Sequence, residues 1–131
     1  MWFSILVLII LLPLWIAWVS MAPWVPTRKK DIERVVDIIE LRAWETLLEI
    51  GCGDGRVSEA LAKKFPDSEI VGIEIAYPIY FLALIRKLIG WHTNMKIRLA
   101  NAFKEDFWKY NAVYVYGMPD KMSEKIVPQF M

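Results

Sequence analysis

A chain of 131 residues has room for one ordinary domain at most, and 56% hydrophobic residues with a mean hydropathy of +0.34 is too apolar for a simple soluble one. A net charge of +1, with no Arg/Lys-rich run interleaved with aromatics, argues against a nucleic-acid partner. The single cysteine, Cys52, excludes an internal disulfide, and without a Cys or His partner at ligand spacing it indicates no metal site.

The apolar excess is localised. None of the 16 basic and 15 acidic residues precedes Arg28. As a helix, Trp2 to Met21 is about 30 Å long, one hydrocarbon core, which predicts a single transmembrane helix within an anchor at residues 1–22. Pro13 is tolerable in such a helix, and Trp15, Trp18 and Trp24 suit an interfacial belt. Ser20-Met21-Ala22 resembles a signal-peptide cleavage site, but a basic n-region is missing and Pro23 would follow the cut, so an anchor is favoured. Arg28, Lys29 and Lys30 follow the span, and the positive-inside rule places the remainder in the cytoplasm as part of a single-pass membrane protein. Its first partner is therefore the lipid bilayer.

Residues 23–28 form a short proline-marked linker, and residues 29–131 the folded domain. Ile32, Val35, Val36 and Ile39 predict an amphipathic helix from about Lys29 to Leu41. Thr46 to Ile50 reads as a buried strand, followed by a glycine turn and a helix with Val57, Ala60, Leu61 and Phe65 on one face, broken at Pro66-Asp67. Glu69 to Ile75 is a second strand, Tyr80 to Leu88 a second helix ending at Gly90, Met95 to Leu99 a third strand and Ala112 to Tyr116 a fourth. Asp120 to Phe130 reads as one more helix. This alternation predicts an α/β fold with a parallel, Rossmann-like sheet.

Glu49-Ile50-Gly51-Cys52-Gly53-Asp54-Gly55-Arg56 joins a strand to a helix, the context of a cofactor loop. Its Gly-x-Gly-x-Gly spacing differs from the dinucleotide fingerprint, and an acid, Glu49, ends the strand. Both departures favour S-adenosyl-L-methionine (SAM), which has no pyrophosphate and a cationic methionyl end. Glu74 closes the next strand 19 residues after Gly55, where a carboxylate can accept from both ribose hydroxyls. A cytosolic cofactor also fits a cytoplasmic domain.

The glycine loop resembles that of the class I SAM-dependent methyltransferases. Trp24-Val25-Pro26-Thr27 after an apolar anchor, Gly72-Ile73-Glu74-Ile75 and Val113 to Pro119 resemble a small membrane-anchored family. Its mitochondrial members methylate lysines of the c-ring protein of ATP synthase and of the adenine nucleotide translocase. The resemblance implies that Glu49, Gly51 and Gly53 line the methionyl end beside Cys52, that Asp54 and Gly55 shape the turn, and that Glu74 holds the ribose. Asn101, followed by Ala102, falls where such enzymes have an Asp for the adenine amino group; an Asn oxygen can still accept from it. Pro26 and Thr27 fall where the linker would cover the cofactor, unless Thr27 simply caps the next helix. A sheet of this type has seven strands, so the chain is expected to be C-terminally incomplete after its fourth strand and following helix.

Methyl transfer from a sulfonium needs an in-line nucleophile and little acid-base help, so no catalytic residue is assigned. A lysine acceptor must be neutral, and an apolar mouth would make it so. Tyr114, Tyr116, Met118 and Pro119 are candidates for that mouth, although Tyr114 and Tyr116 can equally share one strand face as core. His92 reads as a solvated turn histidine without a carboxylate partner, and Lys63-Lys64 and Arg86-Lys87 read as exposed helix faces. The reading is a membrane-anchored methyltransferase acting on a lysine of a membrane-associated protein. A lipid or small-molecule methyltransferase and a non-catalytic SAM-binding module are the alternatives.

Overall fold

The computed structural model describes residues 1–20 and 26–116, with side chains for 1–15 and 26–116. The helix expected at Asp120 to Phe130, Met118, Pro119, Trp18 and Trp24 lie outside those limits. Helix α1 is Trp2–Ser20, α2 Lys29–Ile38, α3 Arg56–Lys64 and α4 Tyr77–Gly90. The strands are β1 Thr46–Ile50, β2 Glu69–Glu74, β3 Met95–Leu99 and β4 Ala112–Val115.

All four strands are parallel, in the order β3-β2-β1-β4. The pleat divides their side chains between two faces. Leu47, Ile70, Met95 and Ile97 pack against Val57, Leu61 and Ala62 of α3, Ala83 of α4, and Ile32, Val35 and Val36 of α2. Leu48, Ile50, Val71 and Ile73 meet Phe107 and the residues around it on the other face. Each fully buried Leu or Ile contributes roughly 1.5–3 kcal/mol. The order places β2 and β4 on opposite sides of β1, so the chain reverses its winding there and opens a crevice at the carboxyl ends of β1 and β4.

Several boundaries moved from their sequence-based positions for local reasons. Helix α4 starts at Tyr77, three residues early, because Pro78 falls in its first turn, where a missing N–H costs nothing. It ends at Trp91, whose left-handed backbone (φ 54°) closes the helix while its N–H turns back to the Leu88 and Lys87 carbonyls. Helix α2 stops at Ile38, though Ile39 and Leu41 still reach the core. The stretch after β3 forms two 3₁₀ turns, Ala102–Lys104 and Phe107–Lys109, capped by the side chains of Asn101 and Asp106.

Among the described residues no helix is long and apolar enough to cross a membrane. Trp2 to Trp15 supplies about 20 Å of apolar helix, short of a hydrocarbon core of ~30 Å. The transmembrane span expected within residues 1–22 therefore does not stand on them. Helix α1 is instead held against the domain. Pro13 has no N–H, so the Ile9 carbonyl one turn earlier loses its helical donor. The Tyr77 hydroxyl of α4 donates to that carbonyl, and Leu14 packs on Ala76 and Ile79.

Candidate functional site

The glycine loop lies at the carboxyl end of β1. Gly51, Gly53 and Gly55 have φ of 69°, 57° and 80°, values that side chains disfavour, which is why three glycines are spaced this way. The Cys52 N–H donates to the Ile73 carbonyl of β2 at 2.9 Å, and the Gly55 N–H to the Cys52 carbonyl at 2.9 Å, closing a tight turn into α3. Gly72 allows this loop to lie on β2, since a Cβ there would come within 2.8 Å of Cys52 Cβ and 2.9 Å of Ser58 Oγ.

Three carboxylates surround the turn, each in a different state. Glu49, buried on β1, accepts a hydrogen bond from Ser58 Oγ of α3. Burial, only partly offset by Ser58 and reinforced by Asp54 and Glu74, pushes its carboxyl up to about 8. Glu74 at the end of β2 accepts from the Gly53 N–H at 3.0 Å on one oxygen and from the Ile75 and Ala76 N–H groups at 2.9 and 3.0 Å on the other. It thus ties the loop to β2 and to the start of α4. Of about four acceptor positions on a carboxylate, three are used, which leaves one facing further donors.

For Asp54, burial would raise the carboxyl, but hydrogen bonds from Arg56 and the charges of Arg56 and Arg86 outweigh it and hold the group below its usual range. Arg56 Nη2 lies 2.6 Å from Asp54 Oδ2, and Arg86 donates to the Asp54 carbonyl at 2.9 Å and to Asp54 Oδ2 at 3.3 Å. Arg86 also pairs with Glu59 at 3.0 Å, so it is a half-buried clamp between α4 and the loop and not the exposed residue expected. His92, read from sequence as solvated and without a carboxylate partner, lies 3.1 Å from Glu59 Oε1 in a largely buried position. Gly90 makes room for that ring: a Cβ there would fall 2.2 Å from His92 Nε2.

The remaining expected residues lie around the same end of the sheet. The Thr27 carbonyl accepts from Arg56 Nη1 at 3.3 Å, which draws the linker over the loop. Thr27 does not cap α2, where Arg28 is the N-cap. Leu99 is paired with Glu74, so Asn101 and Ala102 emerge beside β2; Asn101 Oδ1 accepts from the Phe103 N–H at 3.0 Å. Cys52 is buried, and burial raises its thiol well above the ordinary value, leaving it un-ionised. Tyr114 is paired with Glu49 across β1 and β4, half-buried on the core, and its hydroxyl is pushed up by burial and then by Glu49. Tyr116 is exposed beyond the end of β4.

Sequence reasoning missed Ser58, Arg56 and Arg86 at this site. It also missed a cluster of Arg98, Glu105 and Tyr110, in which Arg98 and the Tyr110 hydroxyl each donate to Glu105 at 2.6 Å. Burial and then the Glu105 bond push that hydroxyl up to about 12. The donor set at the loop suits a cation-bearing nucleoside: a buried acid held neutral by burial is a site for a positive group, and three acids around the turn would repel a pyrophosphate.

Residues 44–114 match the family described as "Putative methyltransferase". The chain is 33% identical over 101 residues to the human lysine N-methyltransferase of the ATP-synthase c-ring protein, covering 76% of this chain and 42% of that protein. It is 36% identical over 59 residues to a protein-lysine N-methyltransferase of Saccharolobus islandicus, covering 45% and 37%. The chain thus spans about two fifths of the length of these relatives. An RNA methyltransferase from Salinibacter ruber, solved with S-adenosyl-L-homocysteine, superposes with a TM-score of 0.71 at 25% identity, covering 79% of this chain and 67% of that one.

Proposed function

Since the chain belongs to the methyltransferase family matched by residues 44–114, we propose that it holds SAM on the Gly51–Gly55 loop and serves methyl transfer to a lysine of a membrane-associated protein. The observation that carries this reading is the triple-glycine turn flanked by two buried carboxylates, Glu49 and Glu74, on adjacent parallel strands. Glu49 faces the cationic methionyl end beside Gly51, Cys52 and Gly53, while Asp54 and Gly55 fix the turn. Glu74 offers its remaining acceptor position to a ribose hydroxyl. Asn101 and Ala102 border the adenine, and Thr27 covers the cofactor from the linker.

SAM supplies an already electrophilic methyl group on a positively charged sulfur, so the protein's work is to bind, orient and exclude water. A lysine acceptor must arrive neutral, and an apolar mouth lowers its pKa by withholding water from the ammonium. Tyr116, exposed at the end of β4, belongs to that mouth, joined by Met118 and Pro119; Tyr114 supports it from the core. The lysine assignment is supported by the names of the human and archaeal relatives. The membrane assignment is supported by the uncharged first 27 residues, and a cytoplasmic domain by the Arg28–Lys30 cluster.

The test is methyl incorporation from labelled SAM by the full chain in native membranes. Label should appear in protein and map to lysine by mass spectrometry. Label confined to extracted lipid would overturn the acceptor assignment, and absence of SAM binding in calorimetry would overturn the whole reading.

A further inference from the structure

The outward face of α4 is wrong for water. Phe81, Leu82, Ile85, Leu88 and Ile89 recur at helical spacing, opposite the buried Ile79 and Ala83, and with Trp91 at the helix end they are 46% to 88% exposed. A surface helix of an α/β domain ordinarily carries its charges on this arc. Here the two charges of α4 lie elsewhere: Arg86 is turned inward onto Asp54 and Glu59, and Lys87 lies on the flank.

Helix α1 indicates what covers the face. It is docked on α4 by the Tyr77 hydroxyl at the Ile9 carbonyl and by Leu14 on Ala76 and Ile79. Ile9 is near the middle of α1, so a bilayer that takes up α1 along its length must also meet α4. Phe81 lies one helical turn beyond Tyr77, which makes the apolar arc of α4 a continuation of the α1 contact. The chain leaving β4, in contrast, departs from the opposite edge of the sheet.

We infer that the outward face of α4 is a second membrane-contact surface, embedded beside α1 in the bilayer interface, so that the domain lies against the lipid and is not suspended from it by a linker. This rests on the reading that α1 enters the bilayer. It would carry the carboxyl end of β2 and the glycine loop to the membrane surface, where an acceptor lysine of a membrane protein emerges.

Leu88→Cys, labelled with an environment-sensitive fluorophore, reports the face directly; the buried Cys52 does not compete for reagent. Glu33→Cys, on the exposed polar side of α2, is the control. The full chain is reconstituted into phosphatidylcholine vesicles containing one-fifth phosphatidylglycerol, with and without lipid carrying a nitroxide shallow on its acyl chain. The label at position 88 should shift to the blue and lose about half of its emission to the nitroxide, the depth of an interfacial helix being roughly 5–10 Å, while the label at 33 keeps its aqueous spectrum. A chain that floats with the vesicles but leaves position 88 in water overturns this inference and spares the anchor. A chain that does not float overturns both. A blue-shifted label that the nitroxide cannot reach would mean that protein, such as a second copy, covers the face, and would also overturn it.

Discussion

Glu49 gives the cofactor assignment its sharpest exposure to failure. Burial holds its carboxyl up to about 8, against 4.5 for a free glutamate. At pH 7 it is therefore protonated about ten to one, and ionising it costs about 1.4 kcal/mol. A cofactor arriving with a protonated amino group must displace that proton, so SAM affinity should climb about tenfold per pH unit from about pH 6 to about pH 8. Above this the cofactor's own α-amino group, ordinarily near 8, loses its proton and affinity falls again. Glu49→Gln has no proton to release. It should erase the acid limb and weaken binding at pH 8 by about 10- to 100-fold, the loss of one charge-assisted contact of about 1.5–3 kcal/mol. Calorimetry at each pH, in two buffers of different ionisation enthalpy, counts the protons. Stability carries the same signature. The folded carboxyl has the higher pKa, so the folded chain binds the extra proton between pH 4.5 and about 8, and without SAM the contribution of Glu49 to stability declines as pH rises through that window. A wild-type affinity flat between about pH 6 and 8, with no proton released, would refute the placement of the cation at Glu49.

Glu74→Ala leaves the Gly53, Ile75 and Ala76 N–H groups without their acceptor. At about 1–3 kcal/mol for each orphaned buried donor, less what entering water recovers, a loss of about 3 kcal/mol is expected in urea unfolding, with faster amide exchange at Gly53. Gly72→Ala forces a methyl to 2.8 Å from Cys52 Cβ and 2.9 Å from Ser58 Oγ. Thermal melts should show about 1–3 kcal/mol of overpacking, and SAM affinity should fall as the loop and Ser58 are displaced. Arg86→Met keeps the aliphatic stem but releases Asp54 and Glu59; because the side chain is one-third exposed, the expected loss at neutral pH is about 1–2 kcal/mol. Asp54 is lower in the folded chain than its usual 3.8. The difference between wild type and Arg86→Met should therefore shrink as pH falls below that value, which denaturation at pH 7 and in acid would detect.

Local pattern was enough to place the elements that bear the site. The bounds of β1 and β3 coincide with those read from Thr46 to Ile50 and Met95 to Leu99, because apolar strand runs end where glycine and polar turn residues begin. Non-local pairing was not legible. Arg86 meets Asp54 across 32 residues and His92 meets Glu59 across 33, encounters set by how α4 lies on α3, which no periodicity encodes. Tyr77 is a further case: read alone it precedes a helix, and only its neighbour in space, an Ile9 carbonyl left free by Pro13, explains a hydroxyl there. Tyr114 took the core placement that strand alternation allowed, and Tyr116 the exposed one.

The partners of the three loop acids also show which of them is available to a ligand. Asp54 is matched by Arg56 and Arg86, so its charge is neutralised within the protein. Glu74 is occupied mainly by backbone N–H groups and is bound up in the shape of the turn. Glu49 has a single hydroxyl, that of Ser58, among the described residues, and its position between two other acids makes its ionised form the least tolerated of the three. Helix N-termini at glycine loops ordinarily favour anions, but here Glu49 and Glu74 stand between such an anion and the N–H groups of the turn. The same loop geometry that would cradle a phosphate is thereby turned to a positively charged ligand, and the distinction lies in residues 49 and 74, outside the glycine spacing itself.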